Sequence, residues 1–149
     1  MSLDSPDFDW KETHSDRIGT AAKAMRFIKS GNSIFIGTGC GQPQHLVEAL
    51  VLHSRDVYDA RIIHMLTMDS APYVDEKFHD RFKTNTFFVA DNVRHALDEG
   101  IGDYTPIFLS DIPREFESGR IPIDVALVSV SPPDSGGLCS LGVSVDIVK

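Results

Sequence analysis

Cysteine is scarce in this chain: Cys40 and Cys139 stand far apart, with no second Cys or His at metal-ligand spacing beside either. That excludes a disulfide framework and leaves a reducing cytoplasm as the expected compartment. The six histidines are scattered and form no H-x-x-x-H pair, so no metal is expected. Long apolar runs are also missing. The longest extend over about six to eight residues, far short of the roughly 20 that span a bilayer. The opening "MSLDSPDFDW" lacks a basic and then apolar leader, so a signal peptide is not expected. Positive charge is in deficit, with 14 Lys and Arg against 22 Asp and Glu and a net charge of −8. Such an acidic protein is repelled by nucleic-acid phosphates and by anionic membranes, so neither is expected as a partner. Finally, no G-K-[ST] triplet occurs, which excludes a phosphate P-loop.

What is present is an alternation of short β-rich runs with helical periodicities in 149 residues, the size of one domain. In "RIGTAAKAMRFIKSG", Ile18, Ala21, Ala22, Met25 and Ile28 recur at helical spacing, and Gly31 reads as the stop. Strand-like runs follow at 33–36, 60–66, 85–90, 103–110 and 122–130. The last is apolar enough to predict burial on both faces. Helices are predicted from Pro43 to His53, across the charged stretch 75–81, over 91–100 with Asp91 or Asn92 as N-cap, and over 112–117. This order predicts an α/β domain, a mostly parallel, Rossmann-like open sheet flanked by helices. Ligands of such sheets sit beyond the carboxyl ends of the strands.

Two strand exits carry the most information. "FIGTGCGQP" sets Gly37, Gly39 and Gly41 behind a strand and ahead of a helix start at Pro43. Glycines so placed let the chain pass close to a nucleotide phosphate, to an acyl thioester or carboxylate, or to the protein's own backbone. The dinucleotide pattern G-x-G-x-x-G fails by one place, since Gln42 stands where it requires glycine. From spacing alone, a tight strand-to-helix turn is the simpler reading. Cys40 near a helix start is a candidate nucleophile by its location, and equally a small packing residue. The second exit, "SVSPPDSGG", places Ser131, Pro132, Pro133 and Asp134 after the fifth strand as a rigid turn. Arg94 and His95 could meet an anion, although solvated side chains are the commoner outcome there.

Taken together, "FIGTGCGQPQHLVEAL", "FFVADNVRHALDEGIGDYTPIFLSDIP" and "IDVALVSVSPPDSGGLCSLGVSVD" resemble, in order and spacing, the N-terminal half of the acetyl-CoA hydrolase/transferase family, which includes acetate and 4-hydroxybutyrate CoA-transferases. The resemblance covers about residues 15–149, leaving 1–14 as an extension. It implies a CoA-transferase-like half whose partner, the C-terminal half, carries the catalytic glutamate in a G-I-H-[ST]-E segment. No such segment is present, and none of Glu12, Glu48, Glu76, Glu99, Glu115 and Glu117 matches it. The implied role is therefore substrate lining, with no catalytic residue in this chain. Gly39, Cys40, Gly41, Gln42 and Pro43, with Ser131, Pro132, Pro133 and Asp134, would face the cleft. The implied partners are coenzyme A as acyl-CoA, a small carboxylate, the protein's own C-terminal domain, and a second copy in a homo-oligomer. A thioesterase acting on acetyl-CoA and a non-catalytic acyl-CoA binding module are the alternatives.

Overall fold

A computed structural model describes residues 8–149. Five parallel strands form one sheet in the order β4-β3-β2-β1-β5: β1 Ser33–Ile36, β2 Ala60–His64, β3 Phe82–Thr86, β4 Gly102–Tyr104 and β5 Val125–Leu127. The helices are α1 Trp10–Thr13, α2 Ala21–Ala24, α3 Gln44–His53, α4 Asp91–Asp98 and α5 Ile112–Glu117. The expected α/β architecture is therefore present, with the sheet entirely parallel.

Neighbouring strand residues point to opposite faces, and each face has its own core. Ile34, Ile36, Ile62 and Phe82 pack beneath α3 and α4 against Val47, Leu50, Val93 and Ala96. Phe35, Ile63 and Phe87 face the other way and are covered by Ile112 and Phe116 of α5, and by Ile147 and Val148 near the C-terminus. Val47 and Leu50 are fully buried, so α3 is fixed by its apolar stripe. Truncating Leu50 to Ala would cost about 2–5 kcal/mol in lost burial and residual cavity.

Several boundaries differ from the sequence expectations. The first helix is shorter, because the Thr20 hydroxyl accepts from the Lys23 amide and starts α2 at Ala21, leaving Ile18 exposed. Pro43 precedes α3 instead of opening it, and α4 begins at Asp91 with Ala90 at the cap position. The charged stretch 75–81 forms only a 3-10 turn, Glu76–Phe78. β3 lies at 82–86, not 85–90, because its inward positions are Phe82, Thr84 and Thr86, and buried threonines weaken the apolar signal. The fourth run supplies only Gly102–Tyr104, before Pro106 removes a ladder donor. The fifth run pairs over three residues, with Ala126 exposed. Burial on both faces was expected of this run, but β5 has a single neighbour among the described strands and lies at the sheet edge. Its start is pinned by Asp124, which accepts the Ser33 amide at 2.7 Å and donates its own amide to the Ser33 carbonyl at 2.9 Å.

Candidate functional site

From β1 the chain steps through β2, β3 and β4 in one direction, whereas β5 lies on the opposite side of β1. The carboxyl ends of β1 and β5 therefore flank the point where strand order reverses, the usual ligand crevice of open α/β sheets. The two loops singled out in the sequence leave from these ends. They share a shallow cavity of about 220 Å³, lined by Cys40 and Gly41, by Ser129 to Ser131 and by Ser140 to Val143. A second depression of about 640 Å³ lies beside it, bounded by Phe8, Trp10, Ser131, Pro132, Pro133 and Asp134.

The glycine loop approaches its own chain. A Cβ added at Gly39 would stand 3.1 Å from Ser144 Oγ, and one at Gly41 would lie 3.3 Å from both Ser144 Cβ and the Ser144 carbonyl oxygen. Gly39 also has φ +54, in the left-handed region that favours glycine. The loop amides are engaged internally. Gly37 donates to the Leu127 carbonyl, Gly39 to Leu66, Gly41 to Thr38 and Gln42 to Gly39. The Cys40 amide instead donates to a side chain, Ser144 Oγ at 3.1 Å, and the buried Thr38 hydroxyl donates to Asp146 Oδ2 at 2.7 Å.

Gln42 and Pro43 stand behind the loop. Pro43 is buried, while Gln42 Oε1 accepts from the Thr67 hydroxyl and its Nε2 donates to the Ser70 carbonyl at 2.9 Å. Asn92 extends this network by donating to the Asp69 carbonyl. In the second loop, Asp134 Oδ1 accepts the Gly136 and Leu138 amides, both at 2.9 Å, and the Ser131 hydroxyl accepts the Ser140 amide at 2.9 Å. These bonds make the turn rigid by local pairing. Arg94 is exposed and lies 3.4 Å from Asp91, and His95 is exposed one position on, both away from the crevice walls.

Beneath these loops sits a buried polar layer. His64 ends β2, and its Nδ1 lies 3.2 Å from the Thr86 hydroxyl. Burial pushes its pKa from 6.5 down to about 4, so the imidazole is neutral at physiological pH. Burial raises the Tyr73 phenol, which lies beside Thr67 without completing a hydrogen bond to any described residue. The polar groups of the two depressions thus include backbone, hydroxyls, the Asp134 carboxylate and two exposed thiols, Cys40 and Cys139. Such a surface can bind and orient a ligand. Among the described residues, no three His, Cys, Asp or Glu side chains are grouped to hold a metal ion, and no helix is long and apolar enough to cross a membrane. Composition did not reveal Thr38, Thr67, Ser144 and Asp146. The available signal was the "SLGVSVD" ending, which was distinctive as a segment but did not show which of its residues contact the loop.

Residues 4–149 match the family model described as the acetyl-CoA hydrolase/transferase N-terminal domain. The chain belongs to this family. It is 37% identical, over 95% of its length, to a 4-hydroxybutyrate coenzyme A transferase of Clostridium kluyveri, of which it covers 33%. It is 39% identical, over 83% of its length, to a succinyl-CoA:acetate/propanoyl-CoA:succinate CoA transferase of Fasciola hepatica, of which it covers 26%. The chain thus spans about a third or less of the length of these curated relatives. Among solved structures, RipA from Yersinia pestis superposes with a TM-score of 0.79 at 26% identity, over 91% of this chain and 34% of that one. A 4-hydroxybutyrate CoA-transferase from Porphyromonas gingivalis shares the fold with a TM-score of 0.70 at 24% identity, over 91% of this chain and 30% of that one.

Proposed function

We propose that residues 15–149 are the N-terminal, substrate-lining domain of an acyl-CoA:carboxylate CoA-transferase acting on a short acyl group such as acetate. The observation that carries this reading is the 37% identity to a 4-hydroxybutyrate coenzyme A transferase across 95% of the chain. In this reading Gly39 to Pro43 and Ser131 to Asp134 form one wall of the cleft. Cys40, Gly41 and Ser131 lie at its surface, while Gln42 and Pro43 hold the loop from behind. Coenzyme A enters as the acyl-CoA substrate, and a small carboxylate is the second substrate.

The nucleophile belongs to the remainder of the protein. Five of the six glutamates are exposed, and the sixth, Glu115, is paired with Arg120 at 2.8 Å; none lies in either loop. A glutamate from the C-terminal half attacks the thioester carbonyl, releasing CoA thiolate and leaving an acyl-glutamyl anhydride. The thiolate then attacks the glutamyl carbonyl, releasing the first carboxylate and forming a glutamyl-CoA thioester. The second carboxylate reverses these steps. The docking face for that half is the carboxyl edge of the sheet, where Met68, Phe88, Phe108 and Val130 stand exposed beyond β2, β3, β4 and β5, with Val143 exposed in the C-terminal segment. Apolar side chains gathered on one face favour a protein partner.

The test is CoA exchange between acetyl-CoA and a panel of small carboxylates, run with the complete gene product and with the 149-residue chain alone. Exchange by the complete product and none by the chain is the expected result. Exchange by the chain alone would refute the placement of the nucleophile, and release of CoA without exchange would favour the hydrolase reading.

A further inference from the structure

The glycine loop is fastened by residues more than a hundred positions away. Of the amides at Gly37, Gly39, Cys40, Gly41 and Gln42, only that of Cys40 is held by a side chain, Ser144 Oγ at 3.1 Å. Two residues before Cys40, Thr38 is 1% exposed and donates to Asp146 Oδ2 at 2.7 Å. Asp146 itself has φ +42, a left-handed conformation that costs a non-glycine residue about 1 kcal/mol and that its bond to Thr38 helps to hold. The close approach of Gly39 and Gly41 to Ser144 completes a three-point contact, in which the glycines leave room for the segment and its side chains hold the glycines. Ile147 and Val148 then anchor the same segment in the core against Phe35 and Ile63. The segment 144–146 is thereby fixed to the sheet and transmits that fixity to the loop.

We infer that Ser144 and Asp146 are positioning residues, which set the conformation in which residues 38–41 meet the acyl or carboxylate group. This rests on the reading that the loop lines the substrate cleft. Ser144 and Asp146 bond to the loop itself, so their removal is expected to loosen binding more than to slow chemistry. A loop that binds ground state and transition state alike moves KM with kcat nearly unchanged.

The experiment uses the complete gene product with Thr38→Val, Ser144→Ala and the conservative Thr38→Ser. Two quantities are read: amide hydrogen exchange of the peptide covering 37–43, and KM and kcat for the carboxylate. Thr38→Val and Ser144→Ala are each expected to speed exchange about five-fold, the factor set by losing one hydrogen bond. Each should also raise the carboxylate KM several-fold with kcat held, and Thr38→Ser should restore both. Unchanged exchange in both disruptive variants overturns the clamp. Faster exchange with an unchanged KM leaves the clamp standing and instead refutes the place of the loop in the substrate cleft. Should Thr38→Val fail to fold, Ser144→Ala decides, because it removes only a hydroxyl from a half-buried side chain.

Discussion

Replacing Gly39 with alanine isolates the contact on which the site geometry depends. Two costs add. Alanine at φ +54 is in the left-handed region, which disfavours a Cβ by about 1–2 kcal/mol. The new Cβ also stands 3.1 Å from Ser144 Oγ, so the hydroxyl must turn away and give up its bond to the Cys40 amide, a loss of about 1 kcal/mol. Gly100 is the control, since it has φ +72 and nothing within 4 Å of an added Cβ. Gly100→Ala therefore carries backbone strain alone. Both substitutions lower the entropy of the unfolded chain by the same amount, and this contribution cancels in the comparison. Urea unfolding should place Gly39→Ala about 1 kcal/mol below Gly100→Ala. In a Ser144→Ala background that excess should vanish, because the side chain in the way is gone. The resulting double-mutant cycle gives a coupling of about 1 kcal/mol between positions 39 and 144. A coupling below about 0.3 kcal/mol, the level at which independent sites add, would refute the seating of the loop on the 144–146 segment.

Other consequences follow from the buried polar layer. Neutral His64 resists protonation in the folded state, where its pKa is about 4 against 6.5 unfolded, so the unfolded state binds the extra proton between those values. Stability is therefore full above the higher value and falls as pH drops toward the lower. Urea titrations between about pH 7.5 and 4.5 should show His64→Leu losing roughly 2 kcal/mol less than the parent over that span. Tyr73→Phe removes a buried hydroxyl that has no hydrogen bond among the described residues, so thermal unfolding should show stability unchanged or raised by up to about 1 kcal/mol. Gln42→Ala strips the Thr67 hydroxyl and the Ser70 carbonyl of their partner and should lower urea stability by about 1–2 kcal/mol.

Particular residues show how far the sequence could be read. Run-and-turn patterns located β1 at 33–36 and α5 at 112–117 because their local signals were unopposed. Gly31, read as a helix stop, has positive φ, as do Gly100 and Gly119 just past α4 and α5. β3 was displaced by three residues because Thr84 and Thr86 are buried, and apolar content is a poor guide to a strand with polar inward positions. The fifth run was expected to be buried on both faces, yet Ala126 is exposed, since composition records hydrophobicity but not what covers each face. At the site, the loops at 39–43 and 131–134 were visible as glycine and proline punctuation at strand exits. Their common crevice follows from strand order, which the sequence does not state. The glycines raised three possibilities, and the structure shows the closest approach to be to the chain's own Ser144. That contact joins positions far apart in sequence, so no spacing rule reveals it.

In the proposed function the complete protein moves CoA between carboxylates and this chain lines the cleft where that happens. The most direct measurement is isotope exchange, with the complete gene product incubated with acetyl-CoA and isotopically labelled acetate and the label in acetyl-CoA followed by mass spectrometry. Label is expected to enter acetyl-CoA while free CoA stays low. Accumulation of free CoA with no label in the thioester would contradict the proposed function.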